Sequence, residues 1–137
     1  MKWYFKVLKQ YADFSGRARR KEYWMFFLFN MIFATVAMSL DRMLGIDFTF
    51  ETAFSFTGQA SLGYGWIYLI YSLAIILPSL AVGVRRLHDI GKSGWNYLLM
   101  FIPLVGSIIL LVWACTEGQS RENKWGVNPK IDLGSEI

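Results

Sequence analysis

Thiol and imidazole groups are almost missing from this chain of 137 residues, which has one cysteine, Cys115, and one histidine, His88. A lone cysteine excludes an intramolecular disulfide. A zinc site needs several Cys, His or acidic ligands at set spacings, so no metal and no cofactor is expected. Charge is scarce as well: Asp, Glu, Lys and Arg make up 18% of the residues and apolar residues 55%, where a soluble domain has roughly 45–50% apolar residues. The scarcity is local. Residues 23–40, 63–84 and 95–115 contain no Asp, Glu, Lys, Arg or His. Coupled transport usually needs ionisable groups within the spans, so these stretches argue for packing and insertion rather than for an ion pathway.

What is present is a set of long apolar runs with basic flanks. The 18 residues of 23–40 cover ~27 Å as a helix, about one hydrocarbon core. Ala37-Met38-Ser39 has the form of a small-x-small cleavage site, but the basic region and the apolar run before it are longer than those of a signal peptide, so the run reads as a retained first span. The second span is 63–84. Pro78 lies inside it, and Ser79 and Gly83 form a small-xxx-small pair suited to close helix approach. The third span is 95–115, interrupted by Pro103, Gly106 and Ser107. Between the last two spans Gly91 suits a helix C′ position and Ser93 an N-cap.

The net charge is +4, and a basic balance raises the question of nucleic acid. The distribution answers it, because seven of the fourteen Lys and Arg residues fall in 1–21, directly before a hydrophobic run. That is the pattern of a cytoplasmic membrane flank, and no nucleic-acid partner is expected. Residues 1–14 place Lys2, Lys6, Lys9 and Asp13 against Tyr4, Val7, Leu8 and Tyr11 at helical spacing, which predicts an amphipathic helix lying in the interface; packing on the rest of the protein is the alternative. Loop 41–60 has one basic residue, Arg42, and its Phe48, Phe50, Phe54 and Phe56 read either as a short strand or as an aromatic patch at the outer interface. The tail, 116–137, is polar, with three basic and four acidic residues.

Two clusters are candidates for binding. Arg17, Arg19, Arg20 and Lys21 precede the first span, where cations near an anionic leaflet contribute about 1 kcal/mol each. Arg85, Arg86, His88 and Asp89 follow the second span. Two guanidiniums and an imidazolium facing a phosphate, with Asp89 fixing their geometry, would make an anion site; the alternative is a basic anchor partly neutralised by its aspartate. As a catalytic base His88 has no evident nucleophile beside it, since Ser93 reads equally as a helix cap.

Phe14-Ser15-Gly16-Arg17-Ala18-Arg19-Arg20-Lys21-Glu22-Tyr23-Trp24 resembles the opening signature of the domain of unknown function 805 family, small bacterial inner-membrane proteins. Arg85-Arg86-Leu87-His88-Asp89 with Gly91, Ser93 and Trp95 resembles its second signature. Pro103-Leu104-Val105-Gly106 is similar to its third-span motif, and Glu122-Asn123-Lys124-Trp125-Gly126-Val127-Asn128-Pro129 to its tail motif, where Tyr or Phe is usual in place of Trp125. The resemblance implies an inner-membrane location and supplies no activity.

The expectation is therefore a single-domain, all-α integral membrane helical bundle with three transmembrane helices plus an N-terminal amphipathic interfacial helix, in the bacterial inner (plasma) membrane with a cytoplasmic N-terminus. The expected function is that of a non-enzymatic accessory or anionic-lipid-interacting component. The alternatives are a small oligomeric transporter or channel and, third, an enzyme acting on lipid headgroups through His88 and Asp89. Expected partners are anionic phospholipid headgroups and either further copies of the chain or another membrane protein. Three spans place the Arg85–Asp89 loop and the tail on opposite sides. For the two to meet, one proline-containing segment would have to be re-entrant.

Overall fold

A computed structural model describes residues 2–48 and 64–132. The elements are α1 (Lys2–Lys9), α2 (Arg20–Leu44), β1 (Asp47–Phe48), β2 (Tyr64–Gly65), α3 (Trp66–Asp89), a 3₁₀ segment (Gly94–Phe101), α4 (Val105–Cys115) and α5 (Pro129–Asp132). They fall into two compact units, one of Met1–Phe27 with Leu77–Ile137 and one of Leu28–Ile76. Phe50, Phe54 and Phe56 lie outside the described residues.

Among the described residues, α2 and α3 are the helices long and apolar enough to cross a bilayer. Their apolar windows are only 11% and 22% buried. The core helix of a soluble protein would hide most of that surface, whereas a bilayer makes its exposure favourable. α3 runs unbroken through Pro78.

The unit of Leu28–Ile76 joins the end of α2 to the start of α3. β1 and β2 pair antiparallel, with Asp47 opposite Gly65 and Phe48 opposite Tyr64. The fully buried Asp41 accepts the Ile67 and Tyr68 amides at 3.0 and 2.8 Å. A carboxylate at a helix N-terminus satisfies orphan amides and complements the dipole. Gly65 makes room for it, because a Cβ there would stand 2.2 Å from the Asp41 Cγ. Deeper in the unit the Tyr71 hydroxyl donates to the Asn30 side-chain oxygen. Thr35 and Ser39 donate to the carbonyls four residues back, which leaves no free hydroxyl donor on that stretch of α2.

In the other unit α1 buries Tyr4 and Val7, and the Tyr4 ring stacks on Phe26 at 5.4 Å. α1 covers Lys2–Lys9 of the helix expected over residues 1–14, and its buried stripe packs on the protein while Phe5 stays exposed. α3 ends in a Schellman motif: Gly91 takes φ +78°, its amide reaches the His88 carbonyl, and the Lys92 amide reaches that of Leu87 at 2.9 Å. Ser93 stands at the N-cap position of the 3₁₀ segment, without a side-chain bond to it.

The expected third span, 95–115, is not one continuous helix. The 3₁₀ segment of eight residues stops at Phe101, and α4 of eleven begins at Val105. Each is about 16 Å long, roughly half a hydrocarbon core. Between them Leu104 takes φ +63° in a γ-turn, with the Val105 amide 2.8 Å from the Pro103 carbonyl. α4 then packs back on the 3₁₀ segment so closely that a Cβ on Gly106 would lie 1.7 Å from the Leu99 carbonyl oxygen. The hairpin returns the chain to where it left: Lys92 covers the Trp113 ring at 5.4 Å. Gly83 of α3 admits the Tyr97 ring of this hairpin, the close approach that its small-residue pattern predicts.

Candidate functional site

Because the hairpin returns, the tail reaches the end of α3. Arg17 is the hub of the contact. Its Nη2 lies 3.0 Å and its Nε 3.1 Å from Asp89 Oδ1. The remaining guanidinium donors go to the carbonyls of Asp89, Gln119, Arg121 and Gly126. Asp89 Oδ2 meets Arg86 Nη1 at 2.5 Å. Arg86 in turn donates to the carbonyls of Trp113, Ala114 and Thr116, which caps the C-terminus of α4 with a cation where the helix dipole favours one. Gly118 packs flat on this carboxylate, since a Cβ there would be 2.0 Å from Asp89 Oδ2.

His88 lies between the N-terminal flank and the tail. Its Nδ1 donates to the Gly16 carbonyl at 3.2 Å, which sets the neutral tautomer, and its ring stacks on Trp125 at 4.6 Å. Its own carbonyl accepts the Asn123 amide at 2.9 Å. Asn128 caps α5 through its side-chain oxygen and donates to the Ser120 carbonyl. Arg85 pairs with Glu22 at 3.4 Å and donates to the Gln10 side chain. Lys6 approaches the other Glu22 oxygen at 3.3 Å. Sequence spacing sets Glu22 beside Arg19 on a helix, but the side chain points inward to Arg85. Glu22 and Gln10 were not legible as site residues, although Glu22 is the one acidic residue within the basic run and is fully buried.

The eight candidate residues thus divide. Arg17, Arg85, Arg86, His88 and Asp89 are buried and bonded to protein groups. Most of their donors are engaged by protein groups, with Arg85 Nη2 buried and without a hydrogen-bond partner among the described residues, and the residues of the anion site expected over Arg85, Arg86 and His88 form a structural junction. Arg19, Arg20 and Lys21 stay at the surface. They line an open cleft of about 570 Å³ with Trp3, Asn128 and Lys130. Trp3 holds Arg19 over its ring at 5.9 Å. Glu117 and Asp89 also reach the wall, and both are paired, Glu117 with Lys130 at 2.5 Å. That hydrogen bond and the Lys130 charge hold the Glu117 carboxyl below its ordinary pKa.

Residues 11–127 match the family model described as Protein of unknown function (DUF805). The chain belongs to the DUF805 family. Inner membrane protein YhaH of Escherichia coli (strain K12) is 46% identical over 132 residues, which cover 96% of this chain and 99% of that one. Inner membrane protein YhaI of the same strain is 43% identical over 131 residues, 96% of this chain and 98% of that one. No solved structure matches. With its two exposed apolar helices, this DUF805 chain is an inner-membrane protein. Three of the four motifs that carry the family resemblance meet here, the flank through Arg17, the end of α3 through Asp89 and the tail through Asn123 and Trp125, while the fourth closes the hairpin where Gly106 packs on Leu99.

Proposed function

We propose that this DUF805 chain is a non-enzymatic accessory component of the inner membrane. In this reading α2 and α3 cross the bilayer, the 3₁₀–α4 hairpin enters and leaves on one side, and both the N-terminal flank and the tail face anionic headgroups in the cytoplasm. The observation that carries the proposal is the Arg17–Asp89–Arg86 junction with the tail carbonyls that Arg17 also reaches, which supports a common side for the flank, the end of α3 and the tail. Thirteen of the fourteen Lys and Arg residues then lie on that side, with Arg42 alone on the other. A positive-inside bias of that size assigns the side to the cytoplasm. A three-span arrangement would put the three basic residues of the tail outside. The non-enzymatic part is supported by His88, whose Nδ1 is engaged and whose ring is covered by Trp125. A general base needs a reachable proton to abstract.

The test uses single cysteines at the exposed Lys92 and Ser120 in a Cys115→Ser background, labelled in intact cells and in inverted vesicles. Both should react only from the cytoplasmic face. Periplasmic labelling of Ser120→Cys would refute the two-crossing arrangement. Preferential sedimentation with phosphatidylglycerol over phosphatidylcholine vesicles is expected, and solute flux through reconstituted protein would replace the accessory reading with a transporter.

A further inference from the structure

Among the described residues, Arg19, Arg20 and Lys21 have no carboxylate within ion-pair distance. Arg20 and Lys21 also occupy the first turn of α2, the positive end of the helix dipole, where cations are unfavourable. The acidic residue of that turn, Glu22, is directed into the protein toward Arg85 and Lys6 and does not neutralise them. The carboxylates of the cleft wall are already matched, Asp89 by two guanidiniums and Glu117 by Lys130. A concave site of about 570 Å³ therefore holds three cations that form no ion pair, with Glu117 of the wall near enough for Arg20 to act on it but bonded to Lys130. Two of them are Arg forks suited to bidentate contact with phosphate oxygens.

We infer that this cleft binds one phosphomonoester group, as a phospholipid headgroup or as a soluble phosphate ester, in preference to a phosphodiester. A phosphomonoester carries about −1.5 to −2 charges at neutral pH, against −1 for a diester, and so compensates the three cations more completely. Its additional terminal oxygens serve Arg19, Arg20 and Lys21 together. Trp3, beside Arg19 on the rim, suits the headgroup level of a bilayer. The inference rests on the cytoplasmic, headgroup-facing placement proposed above.

The experiment compares retention of phosphatidic acid and phosphatidylglycerol by the full chain in nanodiscs, read by native mass spectrometry and by titration. One phosphatidic acid per chain is expected, bound roughly tenfold more tightly than phosphatidylglycerol, the equivalent of one added charge-assisted hydrogen bond. Arg20→Gln with Lys21→Gln should bring phosphatidic acid down to the phosphatidylglycerol level. Glu117→Gln frees Lys130 for the ligand and should strengthen binding about threefold, a gain that misfolding cannot produce. Glycerol 3-phosphate added to phosphatidylcholine nanodiscs separates the sources: binding as tight as that of phosphatidic acid identifies a soluble ester, and failure to bind identifies the lipid. Equal retention of the two lipids, undiminished retention in the double variant, or no gain in Glu117→Gln overturns the inference. The cysteine labelling is independent of these readouts, so a failed topology and a failed cleft give different results.

Discussion

Arg17 and Asp89 are 72 positions apart in the chain, and their side chains meet at 3.0 Å with both almost wholly withdrawn from solvent. This contact closes the flank, the end of α3 and the tail into one junction. Buried ion pairs add little over a well-packed apolar alternative, but breaking one leaves a charge with no compensation.

Asp89→Asn should therefore destabilise the protein by about 3–5 kcal/mol, because Arg17 and Arg86 would both remain buried without their carboxylate. Thermal unfolding in detergent measures the loss. Arg17→Lys keeps the charge but cannot reach four carbonyls at once, so it should release the tail to protease while leaving α2 and α3 helical. Circular dichroism beside limited proteolysis separates the two outcomes.

Gly118→Ala and Gly106→Ala should each displace a different element. At position 118 the new methyl meets the Asp89 carboxylate, so the tail should lift and a cysteine at Ser120 should become more reactive. At position 106 it meets the Leu99 carbonyl, a backbone atom that cannot rotate away, so the hairpin should open. Overpacking of this kind costs typically 1–3 kcal/mol. Wild-type labelling rates and melting temperatures in both variants would contradict the close packing.

Asp41→Ala should remove the cap on α3. Loss of an N-cap costs about 0.5–2 kcal/mol. The Ile67 and Tyr68 amides, which Asp41 accepts, should exchange faster with deuterium, while amides at the other end of α3 keep their protection.

The pH dependence of the cleft should come from the ligand and not from Glu117. Lys130 lowers the Glu117 pKa, and a group depressed on folding contributes its full stabilisation above its unfolded pKa and loses it only as pH falls through the lower, folded value. Between about pH 8 and pH 5 Glu117 stays ionised, whereas a phosphomonoester loses its second charge near about pH 6. Phosphatidic acid binding should weaken as pH falls through that range, with the same midpoint in the wild type and in Glu117→Gln. Titration calorimetry or native mass spectrometry at stepped pH checks this.

Several local features were legible before any fold was known. The apolar run 23–40 lies within α2, and 63–84 from Trp66 onward lies within α3, because length and composition suffice to predict a helix that tolerates a bilayer. Gly91 ends α3 where a left-handed residue is needed, and Gly83 admits a close neighbour, because both depend on the missing Cβ. The path of 95–115 was not legible. An apolar run records that its side chains avoid water; it does not record whether the backbone continues or doubles back. The reversal depends on Leu104 adopting φ +63° and on Gly106 fitting against Leu99. The roles of Arg85, Arg86 and His88 were likewise hidden, since a run of cations reads the same whether it faces phosphate or is bonded to carbonyls distant in the chain.

By itself, the sequence determined that this is a basic-flanked inner-membrane helical protein of the DUF805 family, because charge distribution, run length and local motifs are properties of neighbouring residues. The tertiary structure alone decided which charges are buried and which remain at the surface. That division follows from pairings across long stretches of chain, Arg17 with Asp89 and Glu22 with Arg85, which no local property of the sequence specifies.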